Sequence, residues 1–232
     1  MAERPIFISN INKEEFVEIK NLKFEWFPGF SVKQKQKSIE SLHMSFLRDN
    51  PDTKILEISS KSPTELGVAL SAFNLMIRTK NDKEFSVESA FQSSKVFEKG
   101  GPYVDLIEST SRIAKRDPRL KTSGNLVRFQ YFNRTWPLEP KTLFYDWLYI
   151  NALAINKSLS EEIVKYDAFT DIEFNPGKSI NCQAKAAALY VSLNKLNLLD
   201  YVLTSTENYI QILSKSDKNK KINPDQQLGL FD

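Results

Sequence analysis

Three residues in the stretch Phe85 to Lys99, FSVESAFQSSKVFEK, place a carboxylate, an amide and an amine in register: Glu88, Gln92 and Lys95. On a helix they fall on one stripe, while Val87, Phe91 and Val96 or Phe97 supply apolar neighbours for burial. Such a stripe is either one wall of a polar pocket or a solvated face with ordinary surface charges, and the spacing admits both. A second carboxylate, Asp171, lies in a loop over residues 169–181 that also carries Glu173, Asn175 and a Pro-Gly turn and feeds a helix N-terminus. Backbone amides there can hold an anionic ligand beside a catalytic carboxylate, or Asp171 and Asn175 can simply close Asx turns. Cations gather in KRDPRLK, where Lys115, Arg116, Arg119 and Lys121 suit a polyphosphate or a DNA backbone, with salt bridging through Asp117 as the alternative.

Several elements must position these groups. Alternating fragments over residues 4–30 predict short strands that end at Pro28-Gly29. SVKQKQKSIESLHMSFL predicts a helix capped by Ser31, with Ile39, Leu42, Phe46 and Leu47 as its apolar stripe. Its Lys33, Lys35 and Lys37 meet either phosphates or solvent. KILEISS, residues 54–60, predicts a strand with Glu57 at its middle; a short helix follows from Pro63, where Gly67 allows a close approach or an early break. Asn74 then points into a pocket or caps a turn. The central helix is expected to run until Gly100-Gly101-Pro102 stops it, and residues 103–114 read as helical again. Residues 129–156 are rich in aromatics: a loop in the first half, where Tyr131 and Trp136 are candidate platforms for a base, and a buried helix from about Thr142. An alanine- and leucine-rich helix is expected over residues 182–199.

At 232 residues the chain can bury a substantial core as one domain, and its 41% hydrophobic and 26% charged residues mark a folded, soluble chain. No segment approaches the roughly 18 apolar residues of a membrane span, and MAERPIFISN lacks the layout of a secretory signal, so a cytoplasmic location without membrane association is expected. One cysteine, Cys182, precludes an intrachain disulfide, and with one histidine, His43, it builds no zinc site unless carboxylates complete it; no metal or cofactor is expected. The net charge of +3 leaves nucleic-acid contact to local patches.

The composition changes near the end. Residues 1–212 read as the folded domain and residues 213–232 as a lysine-rich, disordered tail. That tail ends in QLGLFD, and Gln227, Leu228, Leu230 and Phe231 resemble the short peptide with which bacterial DNA-maintenance proteins bind the replicative sliding clamp.

VESAFQSSK, with LSAFN before it and FTDIEFNPGKSINCQA after it, resembles the NADAR family, associated with NAD and ADP-ribose metabolism. WFPGFSVKQKQKSIESLH, LEISSKS, SSKVFEKGGPY, AKRDPRL and FYDWLYINAL resemble more closely the branch of antitoxins paired with toxins that attach ADP-ribose to guanine in DNA. The resemblance covers roughly residues 5–200. It implies a compact, predominantly helical α+β domain with short strands and a cleft for ADP-ribose. It also implies an enzyme that hydrolyses the N-glycosidic bond to guanine, with ADP-ribosylated, single-stranded DNA and the genetically paired toxin as partners. Glu88 matches the glutamate opening the central motif and Asp171 the acidic residue of the second. Many relatives carry a tryptophan-glycine pair soon after that aspartate; Ile172, Glu173 and Phe174 stand here instead, so stacking by that tryptophan does not transfer.

That chemistry needs stabilisation of a cationic anomeric carbon, activation of water and a proton for the departing amine. Glu88 and Asp171 are the carboxylates to divide this work. Lys95 has three candidate roles: a phosphate contact, a proton donor to the base, or a Schiff-base nucleophile toward the ring-opened sugar. Gln92, Asn74 and Asn181 are candidates for the ribose hydroxyls, Arg116 and Arg119 for the diphosphate, with Lys115 in the same basic patch. Two further readings are an N-glycosidase of small ribosylated metabolites and a non-catalytic reader or toxin-neutralising protein.

Overall fold

In the computed structural model, which describes residues 1–11 and 15–220, the chain opens with two eight-residue strands, β1 (Ala2–Ser9) and β2 (Val17–Phe24), paired antiparallel from Ala2↔Phe24 to Ser9↔Val17. Helix α1 (Val32–Leu47) follows, its cap as expected: Ser31 Oγ accepts the Gln34 N–H. Next come β3 (Ile55–Glu57), α2 (Glu65–Ala69), the small hairpin β4 (Met76–Arg78) and β5 (Glu84–Ser86), and α3 (Val87–Ser93). Strand β6 (Lys95–Phe97), a 3-10 turn over Val104–Glu108, α4 (Ser111–Arg116) and α5 (Arg119–Thr122) lead to a second hairpin, β7 (Leu126–Tyr131) and β8 (Arg134–Trp136). The remainder is α6 (Leu143–Ile155), α7 (Lys157–Ile163), β9 (Ala168–Thr170), α8 (Gln183–Lys195), α9 (Leu199–Thr204) and α10 (Thr206–Lys220).

The main sheet has the order β2-β1-β9-β3, antiparallel except for the parallel pair β3 and β9. Its strands alternate between two cores. Ile6 and Ala168 face α1, where Ile39, Leu42 and Phe46 close a small cluster; Phe7, Leu56 and Phe169 face the larger core built on α6 and α8. Successive strand side chains point to opposite faces, so a sheet covered on both sides needs apolar residues at successive positions. Each fully buried Leu or Phe contributes about 1.5–3 kcal/mol. Helix α8 is enclosed between sheet and α6, and its Ala184, Ala186, Ala187 and Ala188 let it approach both closely. Gly67 serves a close approach: a Cβ there would meet the Glu57 carbonyl at 2.0 Å.

Four sequence expectations are corrected. The architecture mixes helix and sheet in one domain rather than being predominantly helical. The central helix stops at Ser93, before the Gly-Gly-Pro. Ser93 and Ser94 both turn their hydroxyls back to the Ala90 carbonyl, and Lys95, Val96 and Phe97 pair with β7 instead of continuing the helix. Residues 126–136 form a hairpin, not a loop: Phe129 pairs with Trp136, and Phe132 takes positive φ (49°) at the turn beside Asn133. Finally, α10 continues as helix to Lys220, across the expected start of the tail. Its first half is packed, with Tyr209 fully buried, and a helix once nucleated propagates at small cost. Gln227, Leu228, Leu230 and Phe231 lie outside the described residues.

Candidate active site

A cavity of about 380 Å3 opens where α3, β6, α4, α6, the end of β3 and the loop between β9 and α8 converge. It brings together Glu88, Gln92, Lys95, Lys115, Asp171 and Asn181, six of the residues singled out from the sequence. Ser86 caps α3 by accepting the Ser89 N–H at 3.0 Å, and backbone bonds from Val87 to Leu75 and from Glu88 to Ala72 fix the helix start against the LSAFN segment. All seven residues of α3 are buried, which excludes the solvated-face reading of the stripe.

Glu88 is 5% exposed, and its Oε1 accepts the Gln92 Nε2–H at 2.9 Å and lies 3.5 Å from Lys115 Nζ. Lys95 reaches the cavity from β6 rather than from the helix. Its Nζ stands 4.9 Å from the centre of the Phe91 ring, and burial lowers its pKa to about 8 against the opposing pull of Glu88. Two buried acceptors of residues lining this cavity, Gln92 Oε1 and Asn181 Oδ1, have no protein partner among the described residues, which suits them to a ligand's hydroxyl groups.

Asp171 closes the Asx turn and also lines the cavity. Its Oδ1 accepts the N–H groups of Glu173 at 3.0 Å and Phe174 at 3.2 Å in an Asx turn, while the side chain lines the cavity. Deep in the protein yet still touching the cavity, it has its pKa raised to about 8, first by desolvation and then by the charge of Glu57. Glu57 sits behind it, 1% exposed, and desolvation raises its pKa as well.

Other sequence candidates are placed elsewhere. Asn74 is exposed and donates to the Val68 carbonyl at 2.9 Å, a turn contact away from the cavity. Arg119 spends its guanidinium on Asp105 (2.6 Å) and Asp117 (2.9 Å) and stacks 4.4 Å from the Tyr103 ring centre, so it ties α5 to the 3-10 turn instead of clamping a diphosphate. Arg116 is exposed on α4 and does not line the cavity. Trp136 is 1% exposed, packed 4.8 Å from Trp147 and 5.4 Å from Phe144 between ring centres, and cannot be a platform for a base. Tyr131 packs on the same rings, and burial pushes its hydroxyl up to about 12.

The sequence reading missed the aromatic lining, Phe73, Tyr145 and Phe174, and the serines Ser59, Ser60, Ser71 and Ser179. The Ser59-Ser60 pair directly after a buried strand was a legible signal, because polar residues at the C-terminal end of a strand point into a crevice. Tyr145 had none, since it is one ring among many in FYDWLY. Lys35, a candidate phosphate contact, instead pairs with Glu173 at 3.1 Å on the cavity rim.

Among the described residues, no group of three or more His, Cys, Asp or Glu could hold a metal ion, and no helix is long and apolar enough to cross a membrane. A family model described as DarT1-associated NADAR antitoxin matches residues 2–223. No curated protein matches the chain.

Proposed function

The chain belongs to the DarT1-associated NADAR antitoxins, and from that premise we propose that it removes ADP-ribose from guanine bases of DNA by hydrolysing the N-glycosidic bond between them. Membership implies a paired toxin. The observation that carries the enzymatic reading is a pair of cavity carboxyls in opposite settings: Glu88 beside Lys115 and Lys95, and Asp171 held in its protonated form by burial and by Glu57. A carboxyl that burial keeps protonated can supply a proton to a leaving group, and a carboxylate across the cavity can take one from water.

In this reading the Glu88 carboxylate faces the positive charge that develops at the anomeric carbon and accepts a proton from the attacking water. The water oxygen bonds to that carbon as the carbon–nitrogen bond breaks. The bonding pair leaves with the guanine amino nitrogen, which takes the proton of Asp171, and solvent returns the proton from Glu88 to Asp171. Gln92 Oε1 and Asn181 Oδ1 accept ribose hydroxyls, Lys115 meets the diphosphate, and the rings of Phe73, Phe91 and Phe174 offer faces to a base. Lys95 serves as the nucleophile of a parallel route: its amine, made available by burial, adds to the anomeric carbon of the ring-opened ribose, which is then an imine of the guanine nitrogen; the guanine amine leaves as that carbon–nitrogen bond breaks, and water hydrolyses the resulting lysine imine to release ADP-ribose and free the lysine. The peptide Gln227 to Phe231 extends the reading, by sequence resemblance, to a tether on the sliding clamp.

The test is incubation of the full chain with a guanine-ADP-ribosylated single-stranded oligonucleotide and mass spectrometry of both products. Free ADP-ribose with restored guanine is the expected result. Binding without release assigns the chain to the reader class, and faster turnover of free ribosylated nucleotides than of the oligonucleotide assigns it to metabolite hydrolysis.

A further inference from the structure

Glu57 is a carboxyl that does not line the cavity, on a three-residue strand whose partner strand, β9, ends one residue before Asp171. Its two oxygens are tied to the residues on either side of Asp171. Oε2 accepts the Thr170 hydroxyl at 2.6 Å, and Oε1 accepts the Ile172 N–H at 2.8 Å. The Ile58 N–H also donates to the Thr170 carbonyl at 2.8 Å, which continues the parallel register Glu57↔Thr170. Beyond Thr170 the chain of contacts goes on to His43 on α1, whose Nε2 lies 2.8 Å from the same hydroxyl.

We propose that Glu57 is the positioning residue of Asp171: it fixes the backbone on both sides of that side chain and, through its negative charge, keeps the proton on the carboxyl that meets the cavity. This rests on the hydrolytic reading above for its consequence in turnover, but not for its geometry. A hydroxyl and an amide donate to Glu57 and pull its proton affinity down against burial, while Asp171, which also accepts two amides, is raised by burial and by the charge of Glu57. The titratable groups facing the pair are His43 from α1, Glu173 from the loop, Tyr145 and Tyr149 from α6, and Cys182 at the start of α8. Burial keeps His43 neutral near pH 7 and keeps the tyrosines and the thiol protonated; of the cations on the cavity wall and rim, Lys115 pairs with Glu88, Lys35 with Glu173, and Lys95 stands over the Phe91 ring. Desolvation and, after it, the charge of Glu57 raise the proton affinity of Asp171.

The direct measurement is a carbon-13 titration of the side-chain carboxyls in the full chain, with Asp171 assigned from Asp171→Asn. Asp171 is expected to titrate far above the ordinary carboxylate range, with the Glu57 resonance responding over the same pH interval. An Asp171 that titrates near pH 4 overturns the proposal without recourse to any variant. Glu57→Gln keeps the size of the side chain and removes the charge; Glu57→Asp keeps the charge and shortens the reach. Glu57→Gln should lower the Asp171 titration, and the alkaline limb of single-turnover hydrolysis with it, by about one pH unit or more. Glu57→Asp should leave the limb in place while reducing the maximal rate. A limb that is unmoved in Glu57→Gln, or displaced equally in both variants, refutes the charge role. Failure of the wild type to release ADP-ribose overturns the proposed reaction, whereas the carboxyl titration decides the pairing of Glu57 with Asp171 in either event.

Discussion

Replacing Glu88 with Gln separates chemistry from folding, because the geometry around this side chain sets different magnitudes for the two. Gln retains an oxygen to accept the Gln92 Nε2–H, which now bonds at 2.9 Å, so that contact changes from charge-assisted to neutral at a cost of about 1 kcal/mol. The ion pair with Lys115 spans 3.5 Å, but the lysine is 56% exposed, so solvent screening limits its loss to about 1 kcal/mol or less. The two together lower the melting temperature of a chain this size by a few degrees. Loss of a positioned general base, by contrast, slows turnover by about 100- to 10,000-fold, equivalent to about 3–5 kcal/mol of transition-state stabilisation. The assay is single-turnover release of ADP-ribose from the modified oligonucleotide, with circular dichroism melts of the same samples and direct measurement of substrate affinity. The expected pattern is a collapsed rate with near-normal melting and binding. A rate within threefold of wild type on a folded variant would refute the assignment of Glu88.

Borohydride added during turnover should trap ADP-ribose covalently on Lys95, more efficiently as pH rises toward 8 and the amine loses its proton; absence of an adduct leaves Lys95 as a phosphate contact or a proton donor to the base. His43, held near pKa 4 by burial against 6.5 when unfolded, makes the unfolded chain the better proton acceptor, so its contribution to stability is complete above pH 6.5 and is lost as pH falls through 4. By pH 4.5 that loss is about 2.5 kcal/mol, and the difference between wild type and His43→Gln in urea unfolding at pH 7 and pH 4.5 measures it. Phe73→Ala should weaken binding of ADP-ribosylated guanosine about tenfold with little change in melting, since Phe73 is only partly buried on the cavity wall. Replacing Leu230 and Phe231 with Ala should abolish binding to a sliding clamp in a surface-plasmon assay and leave hydrolysis intact; unchanged clamp affinity would sink the tether.

What the sequence by itself determined is the material that depends on local pattern. Ser31 and the spacing of Ile39, Leu42 and Phe46 specified α1; alternation specified β1 and β2; and the ordered motifs around Glu88 and Asp171 identified the family and singled out two carboxyls that line one cavity. Tertiary structure decided which charged groups share a cavity. Lys115 and Arg119 are four residues apart in one basic run, yet Lys115 reaches Glu88 while Arg119 is taken by Asp105, which only the packing of the 3-10 turn against α5 brings near. Lys95 fitted a helical stripe by spacing and reached the same cavity from a strand, because its backbone pairs with Phe129 across more than thirty positions of chain. Trp136 read as a loop platform until its hairpin delivered it to a cluster of rings. Glu57 carried no sequence signal beyond an acidic residue in a strand, since its partners Thr170 and Ile172 lie 113 and 115 residues away. Local spacing fixes caps, periods and faces; desolvation and charge pairing depend on what the rest of the chain places within a few ångströms, and those set the proton affinities of its buried groups.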